Sequence, residues 1–224
     1  MTPIPHPSFT ALHTIDWNDC ASILSGCTPV FDALTTDGGL LSELLDQLTG
    51  EHRLAQLCEG YDFMRKLILY DDPDHGIRLR LHLYRGGFFD RPHNHRWSFA
   101  SRILRGGYTH RIFGNDSEFD ETTDPARLRP LLQQRQEPGS SYALHHTSVH
   151  TVHADHDTIS LLMRGPAAKY RFLIHDTTRG FFWAHGAAQE PPEQRAAKRL
   201  TPNQLADTTR TVRRLLIDCP VEAR

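Results

Sequence analysis

The chain has 224 residues, 38% of them apolar and 23% charged, with a formal charge of −2 and a pI near 6.7. That is room for one well-cored domain with helical additions. The balance argues against disorder and against a dedicated nucleic-acid binder, which would carry a basic excess. No run approaches the roughly 18 apolar residues of a membrane helix, and the opening residues lack the basic-then-apolar order of a secretory signal.

The first 60 residues read as a helical extension. Leu40, Leu41, Leu44, Leu45 and Leu48 repeat at helical spacing, with Asp37 placed to cap the start and Gly50 to stop the end. A shorter helix is expected over His52 to Cys58. From residue 61 to 186 the pattern becomes that of a β-domain. Expected strands cover Phe63 to Tyr70, Ile77 to Tyr84, Trp97 to Leu104, Tyr108 to Phe113, Ser141 to His146, Val149 to His153, Thr158 to Arg164 and Lys169 to His175. Turn residues separate most of them, which points to a sandwich or barrel. Gly114 to Gly139 is polar and reads as a long surface excursion with at most one helical turn. Residues 187–224 read as a helical tail, with Thr201 as cap and Pro202 at the first helical position. Cys20, Cys27, Cys58 and Cys219 form no CxxC pair and read as reduced thiols of a cytoplasmic protein.

The chain carries 15 histidines, and the most informative string is Arg91-Pro92-His93-Asn94-His95-Arg96-Trp97. On an extended segment His93 and His95 project to one side and can chelate one ion. A third imidazole is available from the segment Tyr142 to Val152, where His146 and His150 are both candidates. Arg78, Arg80, His82 and Tyr84 share one face of their strand, and Ile77, Leu79, Leu81 and Leu83 share the other. Periodicity alone leaves open which face turns inward. If the polar face does, Arg78 or Arg80 would clamp a carboxylate. Trp97 and Phe99 are expected in the cavity wall, and Tyr108 and His110 as hydrogen-bond or proton partners. His153, Asp155 and His175 make an HxD…H pattern, set aside because its spacing is short and HADHD reads as a turn.

The string HNHRWSFASRILRGGYTH resembles the first metal motif of small bacterial cupins. Gly87 precedes His93 by the five intervening residues of that motif, and Gly106-Gly107 follow. The later SVHTV…DTISLLMRGP resembles their second strand pair and selects His150, which occupies the HxV position. The usual Glu ligand would fall at Phe99 or Ala100, and neither is a carboxylate. The resemblance implies a mainly β fold, the double-stranded β-helix or jelly roll, with N-terminal and C-terminal helical extensions. It implies a three-His site similar to that of thiol dioxygenases, with Fe(II) as cofactor and Zn or Ni as alternatives. It further implies an oxygenase acting with dioxygen on a small polar carboxylate or amino-acid-like substrate, and a homodimer as a possible assembly. A redox-neutral isomerase, lyase or hydrolase and a non-catalytic small-molecule binder remain the other readings.

Overall fold

The computed structural model describes residues 6–36, 38–49, 53–87, 90–124, 127–176, 180–186 and 189–218. The N-terminal part folds into a 3₁₀ helix over Pro7–Thr14 and two α-helices, α1 (Cys20–Thr36) and α2 (Gly38–Asp46). The leucine stripe of α2 is buried as its spacing requires, while its expected caps, Asp37 and Gly50, lie outside the described residues. The expected helix at His52 to Cys58 is only a 3₁₀ turn at Ala55–Leu57.

Eleven strands follow: β1 (Glu59–Gly60), β2 (Met64–Asp72), β3 (Ile77–Tyr84), β4 (Phe99–Arg105), β5 (Tyr108–Asn115), β6 (Leu132–Gln136), β7 (Ser141–Leu144), β8 (Ser148–Ala154), β9 (Ile159–Arg164), β10 (Arg171–Asp176) and β11 (Gly180–His185). One antiparallel sheet has the order β1-β2-β3-β9-β4-β7. The second has β6-β5-β8 on one side and β10-β11 on the other. His93 bridges both β8 and β10, at His150 and Ile174, so the HxH segment joins the two halves as a short strand of its own. Two antiparallel sheets facing each other make a jelly roll. Gly106, at φ +68°, turns β4 into β5, and a Cβ there would lie 2.6 Å from the Thr158 hydroxyl.

Two elements depart from expectation. The excursion after Gly114 contains a strand, β6, which pairs with β5 across Tyr108↔Gln136 to Ile112↔Leu132. It is an edge strand with four of its five residues exposed, so it carries none of the alternation that betrays a half-buried strand. Strand β11, which pairs along all of β10, also escaped the reading. The tail forms α3 (Pro192–Lys198) and α4 (Pro202–Arg213). The start of α4 is a capping box, in which the Thr201 side chain accepts from Gln204 N and the Gln204 side chain accepts from Thr201 N. No helix among the described residues is long and apolar enough to cross a membrane.

The main hydrophobic core lies outside the barrel. Leu79, Leu81 and Leu83 of β3, Leu67 and Leu69 of β2, and Leu161 and Met163 of β9 pack with Ile23, Phe31 and Leu34 of α1, the α2 leucines and Val212 of α4. The aliphatic face of β3 therefore turns toward the helices. By alternation the other face, Arg80, His82 and Tyr84, turns into the barrel.

Candidate metal centre

Backbone pairing brings the first two rings together. His93 N donates to His150 O at 3.0 Å and His150 N donates to His93 O at 2.8 Å, so the two residues sit directly opposite each other. The intervening Asn94 anchors the segment from the other side. Its amide accepts from Leu173 N at 2.6 Å and donates to Asp116 at 2.6 Å, and Asp116 is also held by Lys169. With Asn94 fixed outward, His93 and His95 turn inward together.

His93, His95 and His150 each offer a ring nitrogen, and all three atoms lie within 4.8 Å of one another. His146 is not among them. It follows β7 in a turn, where its backbone N–H donates to the Ser98 hydroxyl and its ring lies tilted against that of His145. His95 Nε2 and His150 Nε2 are 3.0 Å apart. Two nitrogens about 2.1 Å from one shared ion, at a right angle, would be separated by about that distance.

The outer nitrogens are tied. His93 Nδ1 donates to the Arg91 carbonyl at 2.7 Å, with Asp90 3.5 Å away, and these contacts fix the ring's orientation. His150 Nδ1 lies 3.0 Å from His110 Nε2, and a proton on His150 Nδ1 leaves its Nε2 lone pair facing the cluster. Burial, and after it the neighbouring His93, pushes His95 and His150 well below the ordinary imidazole value. Burial likewise lowers His110 to about 4. Three imidazoles that each offer a ring nitrogen to one point, two of them kept neutral by burial, fit a divalent ion.

The surroundings are aromatic and cationic. His95 stacks on Trp97 with centroids 4.5 Å apart and meets Phe99 edge-on. Arg80 lies 4.8 Å over the Trp97 ring. Arg78 points elsewhere: with Arg53 it grips the buried Asp71 at the hairpin end of the sheet. Tyr108 is buried, and its hydroxyl is 2.7 Å from that of Tyr142, whose ring packs against His110 at 4.6 Å. Tyr108 also meets His110 edge-on, with ring centroids 6.4 Å apart. Burial raises both phenols, so both stay protonated at neutral pH. Asp155 of the set-aside HxD pattern pairs with Arg135, while His175 packs on Phe181.

Sequence reasoning passed over several inner-face residues. Tyr142 pairs with Ser101 across β7 and β4, and alternation along Ser141–Leu144 was the available signal. Lys66 faces His82 across β2 and β3, and pairs with Glu59 at 3.6 Å. Asp90 sits in the loop before the HxH segment, where no periodicity points to it.

No protein-family model matches the chain, and no curated protein matches it. Among solved structures it is similar to KdgF from Halomonas sp., with a TM-score of 0.38 and 15% identity over 49% of this chain and 86% of that one. An RmlC-like cupin from Shewanella frigidimarina gives 0.38 and 15% over 50% and 85%. An acetylacetone dioxygenase from Acinetobacter johnsonii gives 0.39 and 11% over 60% and 78%. The fold rests on the strand order and register above, and the chemistry rests on the side chains.

Proposed function

We propose that the protein is a mononuclear non-haem Fe(II) oxygenase acting on a small polar carboxylate, with His93, His95 and His150 as the metal ligands. The observation that carries this reading is the convergence of three imidazoles whose rings are already tied or stacked in place. Iron(II) held by His93, His95 and His150 would supply one-electron chemistry toward dioxygen that no side chain offers.

The chain's own residues do the rest. Arg80, half-buried and over Trp97, orients the substrate carboxylate by charge-assisted hydrogen bonds. Trp97 and Phe99 wall the site and exclude water around His95. His110 is a positioning residue: it holds the proton geometry of His150 and so the direction of its lone pair. The Tyr108–Tyr142 hydroxyl pair, continued by Ser101 Oγ 3.5 Å from the Tyr108 hydroxyl, braces the wall beside His110.

Zinc or nickel suits the same donor set, and would support a redox-neutral isomerase, lyase or hydrolase with the metal as Lewis acid. The test is elemental analysis of protein purified without added metal, followed by oxygen uptake with a panel of amino acids, thiols and other small carboxylates. Iron near one equivalent and substrate-dependent oxygen uptake are expected. Iron-loaded protein that neither consumes oxygen nor binds nitric oxide ends the oxygenase reading. His93→Ala, His95→Ala and His150→Ala should each lose the metal, while His146→Ala should retain it. Full metal content in the first three variants removes the assigned centre.

A further inference from the structure

Away from the barrel, a second group of metal-ligating side chains converges among the described residues. The ring nitrogens of His13 and His75 and a carboxylate oxygen of Asp72 all lie within 4.8 Å of one another. They come from three places in the fold. His13 is in the last turn of the 3₁₀ helix Pro7–Thr14, Asp72 ends β2, and His75 lies in the turn that leads to β3. His13 Nε2 and His75 Nδ1 are each 2.9 Å from the same atom, Asp72 Oδ2.

The backbone holds each donor in place. His75 N donates to Asp72 Oδ1 at 3.2 Å, which closes the turn on one carboxylate oxygen and leaves the other to the rings. The helix that carries His13 is pinned to the same strand: Leu12 is fully buried, and Phe9 packs on Tyr70 of β2 with centroids 4.7 Å apart. Burial pushes the Asp72 carboxyl up, but the His75 backbone N–H and then the two imidazoles outweigh it and hold it below its ordinary value. An ionised oxygen therefore faces both ring nitrogens.

Hydrogen bonding alone satisfies this arrangement poorly. The two rings stack, with centroids 3.9 Å apart and 19° between their planes. Two N–H groups aimed at one oxygen from stacked rings bring their positive ends together, and protonating both rings would stack two cations. A divalent ion removes the conflict, because each ring then turns a lone pair to it and the carboxylate supplies charge. Ligand atoms about 2.1 Å from one ion, at a right angle, stand about 3 Å apart, close to the separations found here. The His13 and His75 side chains are 40% and 53% exposed, so an ion can enter from solvent and water can complete its shell.

We propose that His13, Asp72 and His75 form a second divalent-metal site, outside the barrel, for a borderline cation of the zinc class. Two imidazoles with one carboxylate suit zinc, nickel or copper(II), whereas magnesium and calcium take oxygen ligands. The ion clips the N-terminal 3₁₀ helix to the β2–β3 hairpin. His13 and Asp72 are 59 residues apart, and a metal clip across a long loop stabilises the folded chain. The site shares no residue with the His93, His95 and His150 cluster and does not rest on the oxygenase reading.

The probe is zinc chloride, added to the chelator-stripped full chain in competition with a chromogenic zinc indicator. The barrel cluster can take zinc as well, so the measure is a difference in count. At the same free zinc, the parent protein should hold one equivalent more than His13→Ala or His75→Ala. Asp72→Asn keeps the shape and removes the charge, and should weaken this zinc by at least the roughly 10- to 100-fold that loss of an outer partner costs. Zinc should raise the melting temperature of the parent more than that of His13→Ala. His93→Ala should differ from His93→Ala/His13→Ala by the same one equivalent, so failure of this site and failure of the barrel centre read out separately. In ¹⁵N spectra of labelled histidine, His13 Nε2 and His75 Nδ1 should move on adding zinc, which carries the test if a variant fails to fold. The proposal is overturned if parent, His13→Ala and His75→Ala hold equal zinc, if those two resonances stay in place, or if equimolar magnesium displaces the zinc.

Discussion

The two faces of β3 work in opposite ways. Leu79, Leu81 and Leu83 are buried beneath the helices and contribute the ordinary hydrophobic stabilisation, about 1.5–3 kcal/mol for each large aliphatic side chain. On the opposite face His82 is buried and Arg80 half-buried, yet each keeps a buried, unpartnered nitrogen. The helical layer lets the fold do this. With its main apolar core between helices and sheet, the barrel interior is released from the task of holding the protein together, and can carry groups that cost stability in the free protein.

Substitutions on either side should separate the two roles. Leu81→Ala removes a fully buried side chain from the helix-sheet layer and should cost about 2–5 kcal/mol in denaturant unfolding, with metal content per folded molecule unchanged. Loss of metal at equal folded fraction would show that the layers are not independent.

Asp71→Ala, at the hairpin end, leaves Arg78 and Arg53 without their carboxylate; because both arginines are partly exposed, about 1–3 kcal/mol is expected. Burial alone would raise the Asp71 carboxyl, but its hydrogen bonds from Arg53 and Arg78 outweigh that and hold it below its ordinary value. Its contribution is therefore complete above the unfolded value near 3.8 and is lost as pH falls through the lower folded value. The difference between parent and variant should shrink in unfolding curves taken below that pH, and a difference that grows there would contradict the assignment.

Inside the barrel, His110→Ala should weaken metal binding by about 10- to 100-fold in a chelator competition, the usual cost of an outer partner to a ligating histidine. Unchanged affinity would make His110 a packing residue only. The smallest stability effect belongs to Arg80→Met, which replaces a half-buried charge by an apolar chain of similar length. The melting temperature should stay level or rise while substrate-dependent oxygen uptake is lost. A marked drop in stability would place Arg80 in the structural framework rather than in substrate binding.

Much of the architecture was readable from local pattern. The β3 alternation, the turn at Gly106-Gly107 and the Thr201 cap are short-range signals, because strand period, glycine freedom and capping each act over a few residues. Strand β6 was not readable, since an exposed edge strand has no buried face to leave a trace. Nor was the orientation of β3: period two says that two faces exist, and only the position of the helices says which is inside. The candidate site divides in the same way. His93 and His95 form a pair by neighbourhood along the chain. Their meeting with His150, the place of His110 behind it and the turning away of His146 depend on cross-strand register. Register is set by how two distant sheets close on each other, a property of the whole packed chain that no segment carries alone.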